Sequence, residues 1–242
     1  MELRIREGDD LGKLLDALVR DVVDANIYYQ LFIDITTAIP NFPREFGQAN
    51  TFWGLTIDAI REAYLTRLCR IFDQRSNTLN LVNLLDTVKA NLQYFTEPYF
   101  RERLKDNAFV DSLSEGVRIP TLEELEGDIL FSSSTNQVIT KLMRWRGSIH
   151  AHTAPKLVLG QTSMIESAKI EKEEIEILLD RCYEIMNRYL SLYKANSWSR
   201  KIIGHDDYLS VLKFMRMGLA TYEAEIEKEI EAFSTQTKPS PP

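Results

Sequence analysis

The sequence predicts an all-α fold, an antiparallel helical bundle, on three observations. Helix breakers are scarce, with 10 glycines in 242 residues and three of the eight prolines in the last four positions. Apolar residues recur at three-to-four spacing over long stretches, the period of one helix face. No strand-like alternation runs long enough to build a sheet, and no linker rich in Gly, Ser or Pro divides the chain.

Taken in order, Leu11, Leu14, Leu15, Leu18, Val22, Ala25, Tyr29, Phe32 and Ile33 form one stripe of a helix that must stop before Pro40. Phe52, Leu55, Ala59, Ile60, Ala63, Tyr64, Leu68, Ile71 and Phe72 form a second stripe. The Ser76-Asn77-Thr78 cluster interrupts it and can cap a third helix carrying Leu81, Leu84, Leu85, Val88 and Leu92. Thr121-Leu122-Glu123-Glu124 reads as a capping box after Pro120, and Ser134 or Thr135 can cap a helix through Val138, Ile139, Leu142 and Trp145. A long helix is expected over about 167–195, then a connector from Asn196 to His205. Asp206 can cap a last helix through Leu209, Leu212, Met215, Met217, Leu219 and Ile226. The expectation is one helical domain over residues 1–233 with a disordered tail over 234–242.

Composition excludes several classes. Apolar residues make up 44% and charged residues 27%, the balance of a chain that folds rather than a disordered one. Cys69 and Cys182 stand alone, which excludes a zinc ribbon, a zinc finger and a disulfide scaffold and leaves two buried small hydrophobes. No uncharged apolar run reaches a membrane span, and the charged start MELRIREGDD is not a signal peptide, so a cytoplasmic location without membrane contact is expected. The net charge of −7 speaks against a protein that holds polyanions by overall charge. A nucleic-acid site must therefore be local. One segment qualifies: KLMRWRGSIHAHTAPK holds Lys141, Arg144, Arg146 and Lys156, two of the three histidines, and no carboxylate.

Gly-rich phosphate loops, a nucleophile elbow, HExxH and an EF-hand loop are all absent. His150 and His152, two apart, point about 200° away from each other on a helix and make a poor metal pair, so no metal or other cofactor is expected. Arginine with histidine suits RNA better. A neutral imidazole can take the proton of a ribose 2′-hydroxyl, and a guanidinium can meet the phosphoryl oxygens as charge builds. Arg144 to His150 and Arg146 to His152 both have this pairing, and Arg200 to His205 is a third match. The bland alternative for Arg146 and His152 is a basic helix end that complements the helix dipole. Trp145 reads as core or interface packing, and the Glu223–Glu231 alternation as a solvated face.

RWRGSIHAHTAPK resembles the R-x(4–6)-H signature of the HEPN superfamily, with the typical Ala151-His152 ending. RLCRIFDQRSNTLNLVNLL (Arg67 to Leu85), LLDRCYEIMNRY (Leu178 to Tyr189) and GHDDYLSVL (Gly204 to Leu212) are similar to its AbiU-like abortive-infection branch. The resemblance implies a HEPN-like bundle that dimerises across a two-fold axis and cuts RNA without metal, in phage defence or as the toxin of a toxin–antitoxin pair. It implies Arg146 and His152 as catalytic residues, with Arg144, His150, Lys141 and Lys156 as substrate contacts and an antitoxin protein as a partner. The chain departs from the signature at Gly147, where the family usually has a polar residue, often Asn, and at Ala154, where a nucleotide-modified subset has tyrosine. Many superfamily members bind without cutting, so a non-catalytic RNA- or nucleotide-binding interaction module is the alternative.

Overall fold

The computed structural model describes residues 2–116, 118–147 and 169–236. Among them are ten α-helices and no strand, as the apolar spacing predicts. The helices are α1 (Gly8–Ala38), α2 (Pro43–Gly47), α3 (Asn50–Ile71), α4 (Leu81–Ala90), α5 (Glu97–Arg103), α6 (Val110–Ser114), α7 (Leu122–Ser132), α8 (Gln137–Trp145), α9 (Lys172–Lys194) and α10 (Tyr208–Gln236). Two compact units share them: one holds Met1–Tyr28 and Glu62–Lys201, the other Tyr29–Arg61 and Ile202–Pro242.

The first unit holds the larger core. Leu11, Leu15, Leu18 and Val22 of α1 are buried at the predicted spacing, as are Leu178, Cys182, Ile185 and Tyr189 of α9. These two helices run antiparallel: the Tyr193 hydroxyl donates to the Gly8 carbonyl at 2.5 Å, and Lys194 pairs with Asp16. A fully buried carboxylate, Asp128, ties α7 to α9. Its oxygens meet Arg181 at 2.8 Å, Arg188 at 2.6 Å and the Tyr189 hydroxyl at 2.9 Å. A buried charge is tolerable only with partners of this kind.

Helix starts differ from expectation where a neighbouring hydroxyl is already engaged. Asn80, not the Ser76–Thr78 cluster, caps α4 by accepting from the Asn83 amide at 2.9 Å; the Thr78 hydroxyl is turned to the Arg75 carbonyl. Asn136 caps α8 through the Val138 amide, since Thr135 shares a hydrogen bond with Ser133. Thr121 caps α7 as expected. α9 begins at Lys172, later than expected, under a capping box between Glu171 and Glu174.

In the second unit, Trp53 rather than Phe52 turns inward, stacked edge-on against Phe46 with ring centroids 4.8 Å apart. Phe52 and Leu55 are left exposed, a correction to the predicted stripe. Buried Glu45 is neutralised by Arg216. Of the described side chains of α10, only Leu212 is buried, and the helix continues to Gln236.

Candidate nucleic-acid interface

α8 is short and amphipathic. Ile139 and Leu142 are buried, which turns Lys141 and Arg144 toward the surface and leaves Arg146 as the residue that follows the helix. Arg146 keeps a right-handed helical backbone (φ −55°, ψ −50°), so its side chain continues the surface of α8. α8 lies beside the end of α3, where the Cys69 thiol approaches the Leu142 carbonyl at 3.9 Å. One turn further along each segment, Arg146 Nη1 reaches Asp73 Oδ1 at 3.1 Å.

Asp73 is the residue that organises this end of the unit. It stands just past α3, 4% exposed, and its other oxygen, Oδ2, receives both Nε and Nη2 of Arg75 at 2.8 Å. Burial pushes its carboxyl up, but the hydrogen bond from Arg75 and the charge of Arg146 outweigh that and hold it below the usual carboxylate range. The loop beyond is pinned. The Arg75 carbonyl accepts from Thr78 Oγ1 at 3.1 Å, Asn80 Nδ2 at 2.9 Å and Asn83 Nδ2 at 2.8 Å. Asn80 and Asn83 are themselves buried, so the backbone of Arg75 is fixed although its side chain is 64% exposed.

The remaining site residues are placed as follows. Arg144 is exposed on the last turn of α8. Lys141 turns to Glu174 at 2.5 Å, a pair that holds Glu174 below its ordinary value against the opposing effect of burial. His150, His152 and Lys156 lie outside the described residues. Arg200 pairs with Asp180 and Asn26 in the first unit, while His205 pairs with Asp34 at 2.8 Å in the second. Asp73 and Arg75 are functional candidates that the sequence reading missed. The only hint is their position inside the Arg67–Leu85 segment.

Burial pushes the thiols of Cys69 and Cys182 up to about 12, as suits packing residues rather than nucleophiles. Among the described residues no cluster of His, Cys, Asp and Glu could hold a metal ion. No described helix is long and apolar enough to cross a membrane.

The described residues form an all-helical scaffold, the class of fold that a HEPN-type protein has. The family model HEPN AbiU2, described as AbiU2, matches residues 8–214, more than four-fifths of the 242 residues, and the chain belongs to that family. No curated protein and no solved structure matches it.

Proposed function

We propose that this protein is a metal-independent endoribonuclease of the phage-defence or toxin–antitoxin type, acting in the cytoplasm as a homodimer. Its composite site would be formed by Arg146 and His152 of two copies, and an antitoxin protein would be its natural restraint. The observation that carries this reading is the state of Arg146. Among the described residues a buried carboxylate holds it in place through one ion pair, and its side chain is 29% exposed. A guanidinium has five N–H donors, so an arginine anchored by one of them keeps others to offer an anion. Anchoring reduces the reorganisation needed when charge builds on a phosphoryl group.

The chemistry follows from the substrate. RNA carries its own nucleophile, the 2′-hydroxyl. His152 takes its proton, the oxygen attacks the adjacent phosphorus, and Arg146 bears on the non-bridging oxygens. The symmetry-related His152 gives a proton to the departing 5′-oxygen, leaving a 2′,3′-cyclic phosphate. Arg144, His150, Lys141 and Lys156 would steer and hold the strand. For Lys141 this requires exchange of its pair with Glu174, whose side chains are 36% and 22% exposed and so remain within reach of solvent and a competing anion.

The rival reading, a HEPN-type module that binds RNA or nucleotide without cutting it, is favoured by Gly147. That residue supplies no side chain where the signature usually has a polar one. Incubating labelled RNA with the protein in EDTA decides between them. Cleavage by the wild type, lost by roughly a hundredfold or more in Arg146→Ala and His152→Ala, is the expected result. Intact RNA after incubation with well-folded dimer leaves the binding module. Loss of cutting in His205→Ala but not in His152→Ala would move the site to the Arg200–His205 pair.

A further inference from the structure

We propose that Arg75 is a second phosphate-contacting guanidinium of this interface, and that Asp73 is the positioning residue that sets it beside Arg146; the inference rests on the reading of Arg146 as an RNA contact. Asp73 divides its two oxygens between two arginines. Oδ1 takes Arg146 at 3.1 Å, and Oδ2 takes the Nε–Nη2 edge of Arg75 at 2.8 Å. The separation of the two cations is thus set by one carboxylate. That carboxylate cannot swing away, being 4% exposed and held by the turn in which the Arg75 amide approaches Oδ1 at 3.4 Å.

The exposed edge of Arg75 is what an anion would meet. Two of its five N–H groups are used by Asp73, which leaves three on a side chain that is 64% exposed. No other carboxylate among the described residues pairs with it. One negative and two positive charges leave this group of three with a surplus of one positive charge. In a chain of net charge −7 such a surplus is local and directional. The pinned loop lowers the entropy cost of fixing a long arginine side chain, because its backbone and one guanidinium edge are already ordered. Arg144, exposed on the last turn of α8, extends the same basic end. A polyanion whose charges repeat along a strand, such as single-stranded RNA, suits two fixed guanidiniums better than a lone monoanion does.

Binding separates this inference from catalysis. A fluorescein-labelled single-stranded oligoribonucleotide is titrated by anisotropy at several sodium chloride concentrations against the full chain carrying His152→Ala, so that no cutting interferes. Adding Arg75→Ala is expected to weaken binding about tenfold and to lower the slope of log K against log salt by about 0.7, one phosphate contact of a single strand. Arg101→Ala, which removes an exposed arginine paired with Glu97 and Asp111, controls for bulk charge and is expected to change neither. Asp73→Asn is expected to lose affinity and slope as Arg75→Ala does. Since Arg75 is exposed, its variant keeps the test alive even where Asp73→Asn fails to fold. An unchanged slope in Arg75→Ala, or an equal loss in Arg101→Ala, overturns the proposal. Normal binding by folded Asp73→Asn overturns the positioning role. A wild type that cuts RNA while Arg75→Ala binds normally removes this inference alone. A wild type that does not cut but shows the Arg75 effect removes the nuclease alone.

Discussion

Asp73 and Asp128 are two buried carboxylates of one unit, each with two arginines, and they differ in what surrounds the arginines. At Asp128 the second edges are occupied. Arg181 also pairs with Glu184 at 3.0 Å and lies over the Phe131 ring, and Arg188 reaches Glu124 at 4.0 Å. Three carboxylates face two guanidiniums there, and the Tyr189 hydroxyl adds a second donor to Asp128 Oδ2. At Asp73, among the described residues, one carboxylate faces two guanidiniums, and Arg75 keeps an open edge. The same building unit is therefore a strut where negative charge is in excess and, in the role proposed for it, an anion seat where positive charge is. The lesson is to count the outer partners of a buried ion pair before assigning it a role.

The strut gives the largest expected effect. Asp128→Ala leaves two half-buried guanidiniums and a buried tyrosine hydroxyl without their acceptor, and is expected to cost about 3–5 kcal/mol in chemical unfolding. RNA affinity of the remaining folded protein should not change. A cost below about 1 kcal/mol would show that the cluster is not a strut.

The open cluster should show itself instead in a pH dependence. Because the Asp73 carboxyl is held below its ordinary value in the folded chain, its pairing contributes stability that is complete above the ordinary carboxylate range. That contribution is lost as pH falls through the depressed folded value. Urea midpoints of wild type and Asp73→Asn are therefore expected to differ by a constant amount from about pH 5 upward and to converge below about pH 4. A gap that widens toward acid would reverse the assigned sign.

Much of the scaffold was legible because apolar spacing is a local signal. Leu11, Leu15, Leu18 and Val22 in α1, and Leu178, Cys182 and Ile185 in α9, read the same in the sequence and in the core. Where two adjacent aromatics compete, as Phe52 and Trp53 do, the winner depends on a partner, Phe46, that periodicity does not contain. Caps failed for a related reason: the hydroxyls of Thr78 and Thr135 had closer acceptors or partners than the next helix, and Asn80 and Asn136 took the role. Arg146 stood out through its motif. Asp73 did not, because the contact joins distant segments and an Asp after a helix looks like any surface carboxylate until the fold buries it.

The smallest expected change in stability tests the comparison most sharply, because it separates activity from fold. A Cβ built at Gly147 meets nothing within 4 Å among the described residues, and the glycine is not held in a left-handed conformation. Neither the described surroundings nor the backbone therefore requires glycine here, and Gly147→Asn should change stability by less than about 1 kcal/mol. The same substitution puts back the polar side chain usual in the signature, one residue from the arginine that Asp73 holds. If the Asp73 end of the unit is where RNA is cut, Gly147→Asn raises the cleavage rate, by up to about tenfold for a single added hydrogen bond. If that end only binds, the melting temperature and the cleavage assay both stay where they were. An arginine cluster that cannot be improved from the adjacent position would then hold RNA without cutting it, and still differ from the strut at Asp128 by its open edge.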